Sequence, residues 1–262
     1  MGLYIRRVVD YEKKHVRYRG PLRRILFLIL LICQIKYPLG RDLLCYIEEV
    51  CKEVGMLNNS WNKVIYKFWS PIYDKIFNSH LFLDARKRIF EEIHFHDNAK
   101  VLFVGVGTGA DLELIKNLDL EITAIDLSAD MLKKAMGKYE NTTINFLEMD
   151  AQNMEFDNES FDYVVGSLVL SVVPDANQCL QEMIRVLKGE GKIILFDKFI
   201  SKDERLSLPK KVLRPIIGLL GTDIGLRFED LFSRHEMNMK IEEDRPIMLN
   251  GMYRKIIISK RI

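Results

Sequence analysis

The sequence predicts an α/β fold, a parallel sheet wrapped on both faces by helices and preceded by a helical N-terminal extension. Three observations carry this. Short apolar runs alternate with helix-like patterns from residue 99 to residue 196. The first run, Lys100–Val104, breaks into glycines at alternate positions, Gly105, Gly107 and Gly109, before a helix-like pattern resumes at Ala110-Asp111-Leu112. Four successive runs close on polar residues, Asp126, Asp150, Ser167 and Asp197, and ligands of parallel sheets bind beyond such strand ends. Glycine reaches positive φ and has no Cβ, so the turn can lie directly against a ligand, and the expected helix N-terminus adds unpaired N–H groups.

At 262 residues, 48% hydrophobic and 29% charged, the chain reads as one large domain with an appendage. A formal net charge of +2 and the lack of a basic, aromatic-interleaved patch beside the glycines argue against a nucleic-acid partner. The charge is uneven: residues 1–60 carry 11 Lys/Arg against 6 Asp/Glu, the remainder 28 against 31. A basic arm of this kind suits an anionic surface. Four cysteines, Cys33, Cys45, Cys51 and Cys179, have no C-x-x-C spacing, which points to a reducing cytoplasm and structural thiols.

Residues 1–60 form the predicted extension. Arg17, Arg19, Arg23 and Arg24 lead into Ile25–Cys33, an all-apolar run well short of the ~20 residues of a membrane span. It lacks a small-residue cleavage site. Two readings stand: a buried core helix, or an element lying on a membrane surface with its arginines at the headgroups. Helical spacing recurs over residues 41–54, and Gly55 with Asn58-Asn59-Ser60 marks a linker.

Residues 61–262 form the predicted main domain. Its entry, residues 61–95, reads as lid helices: an aromatic-rich helix from Trp61 that ends before Pro71, then a helix from Phe82 to Ile93. His94-Phe95-His96 has no carboxylate or cysteine at ligand spacing, so no metal site is expected. After the glycine loop come a strand over Glu121–Asp126, a helix over Ala129–Tyr139 capped by Ser128, and strands at Ile144–Met149 and Phe161–Ser167. A helix over Asp175–Leu187, a turn at Lys188–Gly191 and a strand at Lys192–Phe196 follow. Lys210, Lys211 and Arg214 among apolar residues make a basic amphipathic helix at about 205–221. Two strands, around Met239–Ile241 and Met252–Ser259, close the sheet.

Gly105–Ala110 alone fits both the G-x-G-x-x-A dinucleotide fingerprint and the G-x-G-x-G loop of nucleoside-binding methyltransferases. Asp126, about 20 residues past the first glycine, suits either. The ordered series decides: Val101–Gly109, Ala124–Leu132, Met149-Asp150-Ala151, Phe161–Val165 and Val186–Lys192 together resemble the class I S-adenosylmethionine-dependent methyltransferases. The resemblance implies the Rossmann-like, seven-stranded fold of that class, with the last strand antiparallel, and S-adenosylmethionine as cofactor. It implies that Gly105, Val106, Gly107, Thr108 and Gly109 bear the methionine end and Asp126 the ribose hydroxyls. Asp150 and Ala151 would take the adenine amine, Leu127 and Met131 would pack near the base, and Ser167 and Leu168 would line the floor. Phe103 departs from the pattern, standing where the family usually has the Asp or Glu that helps hold the methionine ammonium; Asp111 or Tyr73 are candidates to compensate.

Trp69–Asp74, Ser171–Asp175 and Leu208–Leu220 look like the bacterial phosphatidylethanolamine N-methyltransferases, whose relatives include quinone C-methyltransferases. The expected partner is a lipid or other hydrophobic small molecule, with peripheral contact to the inner face of the membrane. An amine acceptor must lose a proton before methylation, and Tyr73, Asp197 and His235 are the candidate bases. A quinone or small soluble acceptor is the alternative, and a cofactor-binding protein without turnover a further one.

Overall fold

The computed structural model describes residues 80–200 and 222–261, all within one compact unit of the chain. The expected extension over residues 1–60, the aromatic lid helix, Tyr73 and the basic helix at about 205–221 lie outside the described residues.

The described chain runs α1 (His80–Phe90), β1 (Ala99–Val104), β2 (Leu120–Asp126), α2 (Ala129–Lys138), β3 (Asn145–Glu148), β4 (Phe161–Ser167), α3 (Ala176–Val186), β5 (Leu187–Lys198), α4 (Phe228–Phe232), β6 (Met239–Met248) and β7 (Tyr253–Lys260). The strands form one seven-stranded sheet in the order β3-β2-β1-β4-β5-β7-β6. The first five are parallel; β7 inserts antiparallel between β5 and β6. This is the Rossmann-like class I methyltransferase fold.

The apolar runs become strands because side chains alternate between two covered faces. In β1, Leu102 and Val104 join a core with Leu180, Met183 and Leu195, while Val101 and Phe103 join the opposite one with Ile89, Phe90 and Phe196. Burial on both faces is what turns a parallel strand into a continuous apolar run. Helices α2 and α3 begin where short polar side chains offer an acceptor: Ser128 Oγ takes the Met131 amide at 3.4 Å and Asp175 Oδ1 the Gln178 amide at 3.0 Å.

Two expectations need correction. The helix after the glycines is only a 3-10 turn, Leu112–Leu114. Asp111 stands at its cap position, but its side chain makes no capping bond and pairs with Arg86 instead. The predicted Lys188–Gly191 turn is absorbed into β5, where the pairing jumps from Phe161↔Leu187 to Tyr163↔Lys192. Lys188 Nζ reaches back to Asp162 Oδ1 at 2.9 Å and holds this excursion against β4.

Candidate functional site

The site begins with the β1–β2 edge. Val104 ends β1 and the chain turns at once: the Gly105 and Val106 amides both donate to Ile125 O, at 2.9 and 3.0 Å. Gly105, Gly107 and Gly109 all have positive φ, at 69°, 56° and 81°. A Cβ on Gly105 would lie 2.8 Å from Val169 Cγ2, so the loop packs directly on the chain leaving β4. On the other side the loop is tied to α2 and its C-cap. Lys138 Nζ donates to Thr108 O at 3.1 Å and Tyr139 Oη to Gly109 O at 2.7 Å. Val106 and Thr108 are buried in this packing.

Asp126 ends β2 with its carboxylate turned into the loop. Oδ2 accepts the Gly107 amide at 2.8 Å and Oδ1 the Ser128 amide at 2.8 Å. Each carboxylate oxygen has a second lone pair, and the residue keeps some exposure, so both can still accept from hydroxyl donors. Burial pushes its pKa up, against the Ser128, Gly107 and Leu127 amides, which favour the anion. On the neighbouring strand end, Asp150 Oδ1 accepts from Gln152 N at 2.9 Å and Gln152 Nε2 at 3.0 Å. The Ala151 side chain is buried in the core, Met131 is buried and Leu127 is half-buried.

Beyond β4, Ser167 Oγ is buried and finds no hydrogen-bond partner among the described residues. Leu168 follows at φ 57°, a conformation that costs a bulky side chain of order 1–3 kcal/mol and collects at functional sites. Its amide donates to Phe196 O at 2.7 Å.

A glycine turn whose Val106 and Thr108 are buried, an orphaned hydroxyl at the next strand end and a carboxylate with open lone pairs form a polar cradle fit for a nucleoside. Among the described residues no cluster of side chains could hold a metal ion.

Comparison with known proteins agrees with this geometry. A family profile described as "Methyltransferase domain" matches residues 102–195, from β1 through β5. Phosphatidylethanolamine N-methyltransferase of Cereibacter sphaeroides is 28% identical over 200 residues, covering 75% of this chain and 96% of its own length. The chain is a class I S-adenosylmethionine-dependent methyltransferase. Its cofactor is S-adenosylmethionine. The methyltransferase is also similar to the chloroplastic 2-methyl-6-phytyl-1,4-hydroquinone methyltransferase 1 of Oryza sativa subsp. japonica, 34% identical over 130 residues, or 48% of this chain and 39% of the relative. Among solved structures, the Haloferax volcanii complex of the Trm112 methyltransferase activator with a methyltransferase matches at TM-score 0.63 and 14% identity, over 76% of this chain and 98% of that one.

The methyltransferase does not bring all the expected residues together. His235 follows α4 and its carbonyl accepts the Met239 amide at 2.9 Å. Met239 pairs with Lys260, at the sheet edge that holds Lys192, Tyr163 and Val101, the end remote from the glycine loop. Asp197 is at the correct end but has no exposed surface. Its Oδ2 accepts the Ser171 amide at 3.1 Å and its Oδ1 the Lys198 amide at 2.8 Å. It therefore braces the loop after β4 rather than touching an acceptor. Asp111, a candidate to replace the missing motif acid, is buried and held by Arg86 Nε at 2.8 Å. Phe103 is itself buried, with its ring 6.4 Å from that of Phe90.

Sequence reasoning missed Arg86, Lys138, Tyr139 and Lys198. Arg86 lies within α1 and the others at the end of α2 or β5, where solvent exposure is the ordinary expectation for a polar side chain, and no local pattern marks their long-range partners.

Proposed function

We propose that this methyltransferase moves a methyl group from S-adenosylmethionine to a lipid acceptor with an amine headgroup, such as phosphatidylethanolamine. The observation that carries this reading is coverage. The similarity to the Cereibacter sphaeroides phosphatidylethanolamine N-methyltransferase spans 75% of this chain and nearly that whole relative, whereas the hydroquinone methyltransferase matches over 48% of this chain. The cofactor half is common ground among such enzymes, so similarity beyond it speaks for the acceptor. The higher identity to the hydroquinone enzyme, 34% over 130 residues, favours quinone ring methylation as the second reading.

In this proposal Gly105, Val106, Gly107, Thr108 and Gly109 cradle the methionine end, and Asp126 takes the ribose hydroxyls on its open lone pairs. Asp150 and Ala151 meet the adenine edge, Leu127 and Met131 pack against the base, and Ser167 with Leu168 forms the floor. The cofactor supplies an activated methyl group. The protein's own task is to hold the acceptor atom in line and to exclude water. An amine acceptor must arrive at that point unprotonated, and Tyr73 is the remaining candidate for that proton. Peripheral membrane contact through the basic segments is part of the same reading; among the described residues no helix is long and apolar enough to cross a membrane.

The test is transfer of radiolabelled methyl into a total lipid extract and, in parallel, into a soluble metabolite extract, with Asp126→Ala as the control. Label in the lipid phase on an amine-containing phospholipid, lost in the variant, supports the proposal. Label on a quinone supports the second reading, and label confined to the soluble phase overturns both.

A further inference from the structure

Lys198 ends β5 on the same sheet edge as the glycine loop, two strands from β1. Its ammonium donates to Thr222 Oγ1, which donates in turn to Ser171 O at 3.2 Å. Ser171 belongs to the loop after β4, whose Val169 packs against Gly105. The lysine thus sits one strand over from Ser167, at the end of the sheet that carries the glycine loop.

Its charge balance sets it apart. Among the described residues the three buried cations all have carboxylate partners: Arg86 with Asp111, Arg254 with Glu229 and Asp244, and Lys255 with Glu92 and Glu243. Lys198 is partly buried, and among the described residues no carboxylate lies within ion-pair distance of it. Asp197 and Asp223 favour its charge from farther away, but burial outweighs them and lowers its pKa. Asp197 is committed to two amides, and Asp223 Oδ1 accepts the Gly225 amide at 2.7 Å. A sequestered ammonium that finds no counter-ion among the described residues is costly there unless an anion pairs with it.

We propose that Lys198 is the positioning residue of the acceptor subsite and holds the phosphodiester oxygen of the headgroup whose amine is methylated. This rests on the amine-headgroup reading given above. An ammonium has three donors and Thr222 takes one, which leaves two for a phosphate oxygen. In a phosphoethanolamine headgroup two methylenes join phosphate to amine. Fixing the phosphate therefore confines the nitrogen to a small arc, which is the orientation an in-line transfer needs.

The experiment measures steady-state methylation of phosphatidylethanolamine in mixed micelles by the full chain, with soluble glycerophosphoethanolamine as competitor and cofactor affinity as the folding control. Lys198→Met is expected to raise KM about tenfold or more, to change kcat much less, and to abolish inhibition by the competitor, as loss of one charge-assisted bond predicts. Lys198→Arg should restore most of both. Lys198→Gln, which can keep the bond to Thr222 without the charge, should behave like Lys198→Met and serves if that variant does not fold. KM and inhibition within twofold of the parent in the neutral variants overturn the assignment of Lys198 while leaving the amine-headgroup reading intact. A parent chain that methylates no phosphatidylethanolamine overturns that reading, and this one with it.

Discussion

The Gly107 amide donates to Asp126 Oδ2 at 2.8 Å, so the carboxylate proposed to take the ribose hydroxyls is also a buttress of the glycine loop. Removing it withdraws a ligand contact and loosens the loop at once. Asp126→Ala should weaken S-adenosylmethionine binding by about 10- to 100-fold, about 1.4–2.8 kcal/mol, measured by titration calorimetry. Burial raises the Asp126 pKa, so parent affinity should fall on acidification before an ordinary carboxylate would titrate, while Asp126→Asn should show no such dependence. The sign for folding is opposite. A raised folded-state value means that the stability Asp126 contributes is complete below its ordinary value of 3.8 and is lost as pH rises through the raised one. A parent whose affinity is flat across that range would refute the role.

Tyr139 Oη and the Gly109 carbonyl form the second tether of the loop. Tyr139→Phe leaves that carbonyl short of its bond in a buried setting, which should cost about 1–3 kcal/mol in urea denaturation. Gly109→Ala should cost at least as much, because a Cβ there would lie 2.7 Å from Tyr139 Cε2 at a φ of 81°. Combining the two changes should give less than the sum of their effects, since both loosen the same contact.

Arg86 and Asp111 meet at 2.8 Å with side chains only 4% and 8% exposed. Arg86→Met leaves a buried, unpaired carboxylate and should destabilise the protein by about 3–5 kcal/mol. Adding Asp111→Leu should recover much of that loss. A double-mutant cycle by denaturation that gives no coupling would show that the pair contributes nothing.

What the sequence made legible was local. The strand over Phe161–Ser167, the caps at Ser128 and Asp175, and the positions of the last two strands all follow from periodicity and short-range hydrogen bonding. What it hid was non-local. The helix expected after Gly109 gives way to a 3-10 turn while Asp111 is claimed by a residue 25 positions away, and the loop's carbonyl is held from 30 positions away by Tyr139. His235 reads as a candidate base because histidine often is one, but only the register of β6 on β7 shows that it sits at the wrong end of the sheet. Asp197 stands at a strand end that the sequence identifies; that its two oxygens are used up by amides does not appear until the loop after β4 is folded over it.

Phe103 brings these two kinds of information into conflict, and the structure decides between them. By resemblance the position calls for a carboxylate, and restoring one would be expected to improve cofactor binding. By packing it is an interior position: Phe103 is 2% exposed, lies in one core with Ile89, Phe90, Phe196 and Tyr253, and stacks on Phe90. A carboxylate there would lose the ring's burial and gain a desolvated charge with no basic partner provided. Phe103→Glu is therefore expected to destabilise the protein by more than about 3 kcal/mol and to leave S-adenosylmethionine affinity no better than the parent's. Phe103→Leu, which keeps the position apolar, should cost less and bind normally. Tighter cofactor binding by a folded Phe103→Glu protein would instead show that this core yields to a charge, and that the motif acid is merely missing rather than replaced by packing.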